Sequence, residues 1–378
     1  MQPIDKFFSL LCGSLAPVVN ETTEIASEEW SVIYQFALKQ SVVGIIFDGI
    51  RRLSLRPPQY VLFQWMVLAE QIRAQNQLQC QECARLTTLF ENEGHQTVIL
   101  KGLANGLMYD GSLANLRQPG DIDIWVSGGK DAVVKTLRKL HLLNGELSSY
   151  EGQGTASQSY HHIDLPKDEK GIEVEVHFRP SSGNKNPFTN RRLQKFLNDE
   201  FAKGNLMVAE GFRVPSIRFA LVMQLSHIQR HLMSRGIGLR QIVDYYFLLK
   251  QAHKENTNVT DYKDLRTMGL GHIAGAVMWV LHEKLRLEDQ YLIAPMDERR
   301  GRMLLDVIME GGNFGHHYDG SKVRSLTRKA LDKHLWRLRF LYFDVPELIW
   351  REVRFVGYFL KSMPERMRKR SLSLGKLI

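Results

Sequence analysis

The chain has 378 residues, 44% of them hydrophobic and 24% charged, with a net charge of +9. No run approaches the roughly 18 apolar residues that a spanning helix needs, and three cysteines, Cys12, Cys80 and Cys83, exclude a disulfide framework. Residues 321–378 hold 15 Lys and Arg against 5 Asp and Glu, so the basicity belongs to the C-terminal tail and the protein is not basic over its whole surface.

Length alone allows two or three domains. Near the start, Phe7 to Ala16 has the apolarity of a signal-peptide core. Asp5 and Lys6 cancel, however, so no positive segment precedes it. A short amphipathic helix and a cytoplasmic protein are expected. Ser27-Glu28-Glu29 reads as a helix start, followed by apolar Trp30, Ile33, Phe36 and Ala37 at helical spacing. Pro57-Pro58 breaks that pattern, and one long helix is expected from Gln59 to about Glu93. Cys80 and Cys83 fall inside it. A zinc ribbon needs a second pair, so these two read as helix neighbours at i and i+3.

The texture changes near Gly94. Thr97 to Leu100 reads as a short strand, and Gly102 opens a helix through Tyr109. A loop with Gly111, Pro119 and Gly120 leads to a strand from Asp121 to Val126. Gly128-Gly129 introduces a helix ending near His141, and further strands are expected at Tyr160–Leu165 and Gly171–Phe178. After Pro180 the pattern is helical again, at Phe219–Ser234, Leu239–Ala252, Ile273–Leu287 and Arg299–Glu310. Gly311-Gly312 with Gly315 marks a loop, and two tail helices are expected on either side of Pro346. The expected fold is α+β and mostly helical, with a small mixed sheet embedded between helical regions. Its expected divisions are 1–93, a core at 94–180, a helical region at 181–320, and basic helices at 321–378.

The chemistry concentrates in the core. Asp121 and Asp123 stand two apart on a strand, so both side chains share one face. Carboxylates this close repel unless a cation lies between them, and Mg²⁺ takes such oxygen ligands. Glu173, Glu175 and His177 alternate in the same way on a later strand. If the two strands are neighbours, a Glu joins the two Asp. Three acidic groups can hold two metal ions for phosphoryl transfer; the competing reading is a solvated acidic edge. Upstream, Lys101-Gly102 ends a strand and opens a helix, a backbone suited to phosphate. Lys101 and Arg117 are the cations nearest in sequence.

The order strand, Lys-Gly, helix, Arg117-x-x-Gly120-Asp121-x-Asp123, helix, then Glu175-x-His177 resembles the DNA polymerase beta-like nucleotidyltransferase superfamily. More narrowly, it is similar to a bacterial family of largely uncharacterised nucleotidyltransferases with a helical surround. Enzymes of the superfamily usually have Gly-Ser or Gly-Gly at the turn, whereas Leu103 follows Gly102 here. The resemblance implies transfer of a nucleoside monophosphate from a nucleoside triphosphate such as ATP to an acceptor hydroxyl. It implies Mg²⁺ or Mn²⁺ as cofactor, held by Asp121, Asp123 and Glu175, with Lys101, Gly102 and Arg117 on the nucleotide. His162, His177, His227, Arg240 and Asp244 are candidates for substrate or supporting contacts. The acceptor is open among small molecule, protein and RNA.

Other readings compete. A nucleotide-sugar glycosyltransferase also uses Asp-x-Asp, but needs βαβ units where this chain is helical. A helical RNA- or membrane-binding protein with a decayed core requires carboxylates that do not converge. His227 and His231 share a helix face, without the Glu of a zinc protease motif. Arg240 and Asp244, at i and i+4, read as an ion pair or as cleft residues. The tail interleaves cations with Trp336, Phe340, Tyr342, Trp350 and Phe355. That pattern fits core-packed amphipathic helices, RNA, or an anionic membrane surface.

Overall fold

The structure is a computed structural model, and it describes residues 2–15, 24–53, 55–143, 157–158, 161–166, 171–234, 236–313 and 335–357. It is mostly helical with a small mixed sheet. Four helices come first: α1 (Pro3–Leu15), α2 (Glu29–Gln40), α3 (Val43–Arg52) and α4 (Gln59–Asn92). The core then alternates β1 (Thr97–Ile99), α5 (Leu103–Gly106), a 3-10 segment (Gly111–Leu116), β2 (Ile122–Val126), α6 (Gly129–Lys139), β3 (Ser157–Gln158), β4 (His162–Asp164) and β5 (Val174–His177). After it come α7 (Pro187–Ala202), a small hairpin of β6 (Leu206–Met207) and β7 (Arg213–Val214), α8 (Ile217–Leu232), α9 (Leu239–Lys254), α10 (Tyr262–Thr267), α11 (Gly271–Leu285) and α12 (Glu298–Gly311). Residues 345–357 are also helical. Among the described residues no helix is long and apolar enough to cross a membrane.

Helix α4 ties the molecule together. Pro58 stops the preceding chain, and no side chain caps either end of this 34-residue helix. Its stability therefore comes from burial. Val61, Trp65 and Ala69 enter one apolar core with α1–α3 and the later helices. Cys83, Leu86 and Phe90 enter a second core beneath the sheet. Each fully buried large apolar side chain contributes roughly 1.5–3 kcal/mol. Between the two apolar stretches lie buried Asn76 and Gln79, which face the loop before β2. Cys80 and Cys83 are free thiols of this helix.

The sheet order is β1-β2-β5-β4-β3. β1 is antiparallel to β2, and β2 is parallel to β5. A parallel pair requires a long crossover, and the chain from residue 127 to 173, carrying α6, supplies it. Ile122, Ile124, Val174 and Val176 all fill the second core.

Several sequence expectations shift in detail. The helix after Gly102 is a single turn, and the loop from Gly111 winds into a 3-10 segment. The hairpin β6–β7 and helix α7 were not anticipated. α7 begins with Asn186 accepting from Phe188 N–H and Pro187 in the first turn, a start signal readable in sequence. The tail is helical at 335–338, winds into a 3-10 segment at Arg339–Tyr342, and breaks just before a helix at 345–357, with Pro346 in that helix's first turn, where proline is tolerated. Gly315 and the tail at 321–334 and 358–378 lie outside the described residues.

α3 crosses the 3-10 segment at Gly44, where an added Cβ would stand 2.2 Å from the Leu116 carbonyl oxygen. Gly44→Ala is expected to destabilise the fold by about 1–3 kcal/mol through overpacking. Urea denaturation followed by circular dichroism measures it.

Candidate active site

Three strands and two helices assemble the site. In the parallel register Asp123 lies opposite Glu175. Asp164 lies opposite Glu175 on its other side, and His162 opposite His177. Asp121 precedes β2 by one residue, so it shares the face of Asp123. Asp123 is 1% exposed, while Asp121 and Glu175 are open to the cleft at 32% and 25% side-chain exposure. Asp121 and Glu175 line the cleft, and Asp123 lies buried on β2, opposite Glu175.

Lys101 reaches this cluster from the end of β1. Leu100 N–H continues the ladder to the Asp123 carbonyl at 2.9 Å. The chain then turns sharply at Gly102, with φ +60° and ψ −109°, a conformation that costs other residues strain. Lys101 Nζ sits 2.8 Å from Asp123 Oδ2 and 3.8 Å from Asp121 Oδ2. Burial opposes its charge, but Asp121, Asp123 and Glu175 outweigh burial and hold its pKa above the ordinary lysine value. Because α5 is one turn long, its dipole adds little at Gly102. The glycine's importance lies in the turn.

Imidazoles line the other side. His177 Nε2 lies 2.9 Å from Asp123 Oδ1 and 3.2 Å from Glu175 Oε2. Burial pulls its pKa down, but these two carboxylate partners dominate and raise it. Burial likewise pushes the Glu175 pKa up, and the His177 hydrogen bond with the Lys101 charge brings it below the usual value. His162 bridges two carboxylates, with Nδ1 at 3.1 Å from Glu175 and Nε2 at 3.1 Å from Asp164. His161 is held toward neutrality by burial and then by the neighbouring histidines, and Arg230 donates to it at 3.3 Å. Ligand atoms of Asp123, Glu175 and His177 lie within 4.8 Å of one another, as do those of His162, Asp164 and Glu175. Either set could hold a divalent cation.

The loop before Asp121 is fastened from two helices. Asn76 on α4 donates to the carbonyls of Asn115 and Arg117, both at 2.9 Å, and Gln79 donates to that of Gly120. From α9, Arg240 donates to the carbonyls of Gln118 and Pro119 at 2.9 and 3.0 Å. Arg117 itself is buried and grips Asp244 at both edges, at 2.6 and 2.8 Å, while Tyr109 donates to the same carboxylate at 2.7 Å. Sequence reasoning assigned Arg117 to the triphosphate; in the fold its guanidinium is committed to Asp244. The local pairing of Arg240 with Asp244 gives way to these tertiary partners.

The cleft has a volume of about 770 Å³, which falls within the range of small-molecule sites. Asp121 and Glu175 form its floor, and His227, Arg230, His231 and Arg240 form its helical wall. The rings of His227 and His231 lie 4.4 Å apart, and burial, then the charge of His231, keeps His227 neutral. Neither belongs to the metal-competent groups found among the described residues. Asp164 and Arg230 were missed by sequence reasoning. For Asp164 a signal existed, since period two from His162 puts both on one face.

Asp244→Ala leaves a buried guanidinium without its partner, and a loss of about 3–5 kcal/mol is expected. Arg117→Met combined with Asp244→Leu should lose less than Asp244→Ala alone. Guanidinium unfolding of the three proteins checks the order.

A model of a family described as uncharacterised nucleotidyltransferase matches residues 26–286. That span includes every residue of the cleft named above. None of the curated proteins compared with the chain matches it. Among solved structures, the chain is similar to the polymerase core of TRAMP, an RNA surveillance complex, at 15% identity and a TM-score of 0.22, covering 77% of this chain and 71% of that one.

Proposed function

The chain belongs to the family of uncharacterised nucleotidyltransferases, and on that premise we propose that it moves a nucleoside monophosphate from a nucleoside triphosphate to an acceptor hydroxyl, releasing pyrophosphate. The observation that carries this reading is the pairing of Asp123 with Glu175 across parallel strands, with Asp121 beside them and Lys101 above.

The donor set fits a divalent cation. The oxygens come from carboxylates, and buried Asp123 Oδ2 already has a cation, the Lys101 ammonium, 2.8 Å away. Asp121, Asp123 and Glu175 would hold Mg²⁺ or Mn²⁺, which neutralises phosphate charge and polarises the reacting phosphorus when bound. The chain's own groups do the remaining work. The β2–β5 register fixes the carboxylates, so little reorganisation is needed at the moment of reaction. Glu175, hydrogen-bonded to His177, would accept the acceptor's proton. Lys101, with Arg230 and Arg240 on the cleft wall, supplies positive charge for the triphosphate. Arg117 keeps the loop before Asp121 in place.

Asp121→Asn combined with Asp123→Asn is expected to lower transfer by about a thousandfold or more, because several kcal/mol of charge stabilisation are lost. Incubation with each labelled triphosphate and Mg²⁺ or Mn²⁺ measures it against a panel of hydroxyl acceptors. Transfer that persists in the double variant sinks the assignment.

A further inference from the structure

Residues 335–357 pack on the molecule by one side. Phe340, Phe343 and Leu348 are buried there. Arg351 donates to the Met233 carbonyl at 2.7 Å, and Glu347 accepts from the backbone N–H groups of Lys185 and Asn186. The opposite side is aliphatic. Val345, Ile349, Val353 and Val356 recur at helical spacing, share one face, and are 45–55% exposed. Just upstream, Leu335, Leu338 and Leu341 are 50–53% exposed. Single exposed apolar residues are ordinary on a protein surface, but these seven, with Tyr342 as an eighth, mark a contact site in one short stretch.

The sequence around this stretch selects the partner. Residues 314–334 carry five Lys and Arg against two Asp, and residues 358–378 carry six against one Glu. Within the stretch, Arg337 and Arg339 are already paired with Glu352 and Glu310, each at 2.8 Å. A second copy of the chain would bring one basic segment against another, which Coulomb repulsion opposes. Nucleic acid offers phosphates and base edges, which Leu, Ile and Val cannot hydrogen-bond. An anionic lipid surface satisfies both features, because the acyl boundary takes aliphatic side chains and the headgroups take cations.

We propose that the aliphatic face of residues 335–357 docks the protein on an anionic lipid bilayer, lying in the interface. This surface is independent of the transfer reaction, and its test needs no nucleotide. The full chain is sedimented with vesicles of phosphatidylglycerol and phosphatidylcholine in equal parts, and with phosphatidylcholine alone. Binding to the anionic vesicles, weakened by added salt, is expected. Ile349→Asp with Val353→Asp should reduce that binding about tenfold or more, with the melting temperature unchanged. If the Asp pair lowers the melting temperature, Ile349→Ser with Val353→Ser takes its place. Failure of the wild type to bind anionic vesicles overturns the proposal, as does equal binding by a folded variant. So does binding of single-stranded RNA that the same substitutions abolish while vesicle binding persists.

Discussion

The parallel pairing of β2 with β5 is the constraint on which the cleft depends. Strand side chains alternate, so a slip of one residue would turn Asp123 or Glu175 into the apolar core. The phase of the register is held by that core: Ile122, Ile124, Val174 and Val176 are buried together only while the alternation of the two strands stays in step. The same pairing sets the flanks. Antiparallel β1 delivers Lys101 to one side, and antiparallel β4 delivers His162 and Asp164 to the other. The apolar half of each strand thus determines where the charged half meets.

Gathering carboxylates at this density is costly, because like charges a few ångströms apart repel. Each carboxylate is met by a positive or titratable group: Asp123 by Lys101 and His177 from other elements, Glu175 by His162 of the next strand and His177 of its own, and Asp164 by His162 two residues before it. The balance at Asp123, and the His162 contact to Glu175, therefore exist only when the strands are in place.

What could be read from sequence was whatever depends on local period. Asp121 with Asp123, Glu175 with His177, and the long helix after Pro58 were legible from alternation or helical spacing. Strand adjacency was not, because β2 and β5 are separated by the whole crossover and nothing in either strand names its neighbour. Arg117 and Asp244 are 127 positions apart. A local rule therefore preferred Arg240 for Asp244, and the tertiary contact won. α7 was missed for a different reason. Its amphipathic signal is confined to Leu193, Leu197 and Phe201, although Asn186-Pro187 announces its start. In the tail, Phe340 is packed in the core as expected, whereas Tyr342 is exposed among aliphatic residues.

The loop from Asn115 to Gly120 is held by Asn76 and Gln79 on one side and by Arg240 on the other. Helices that look like a housing around the sheet are thereby mechanical parts of the cleft. α4 and α9 act as two jaws of a vice on the segment that delivers Asp121. Both helices must hold their places for the loop to present Asp121 as it does. The β-sheet cut free of its helices would keep the residues of the cleft but lose its gauge.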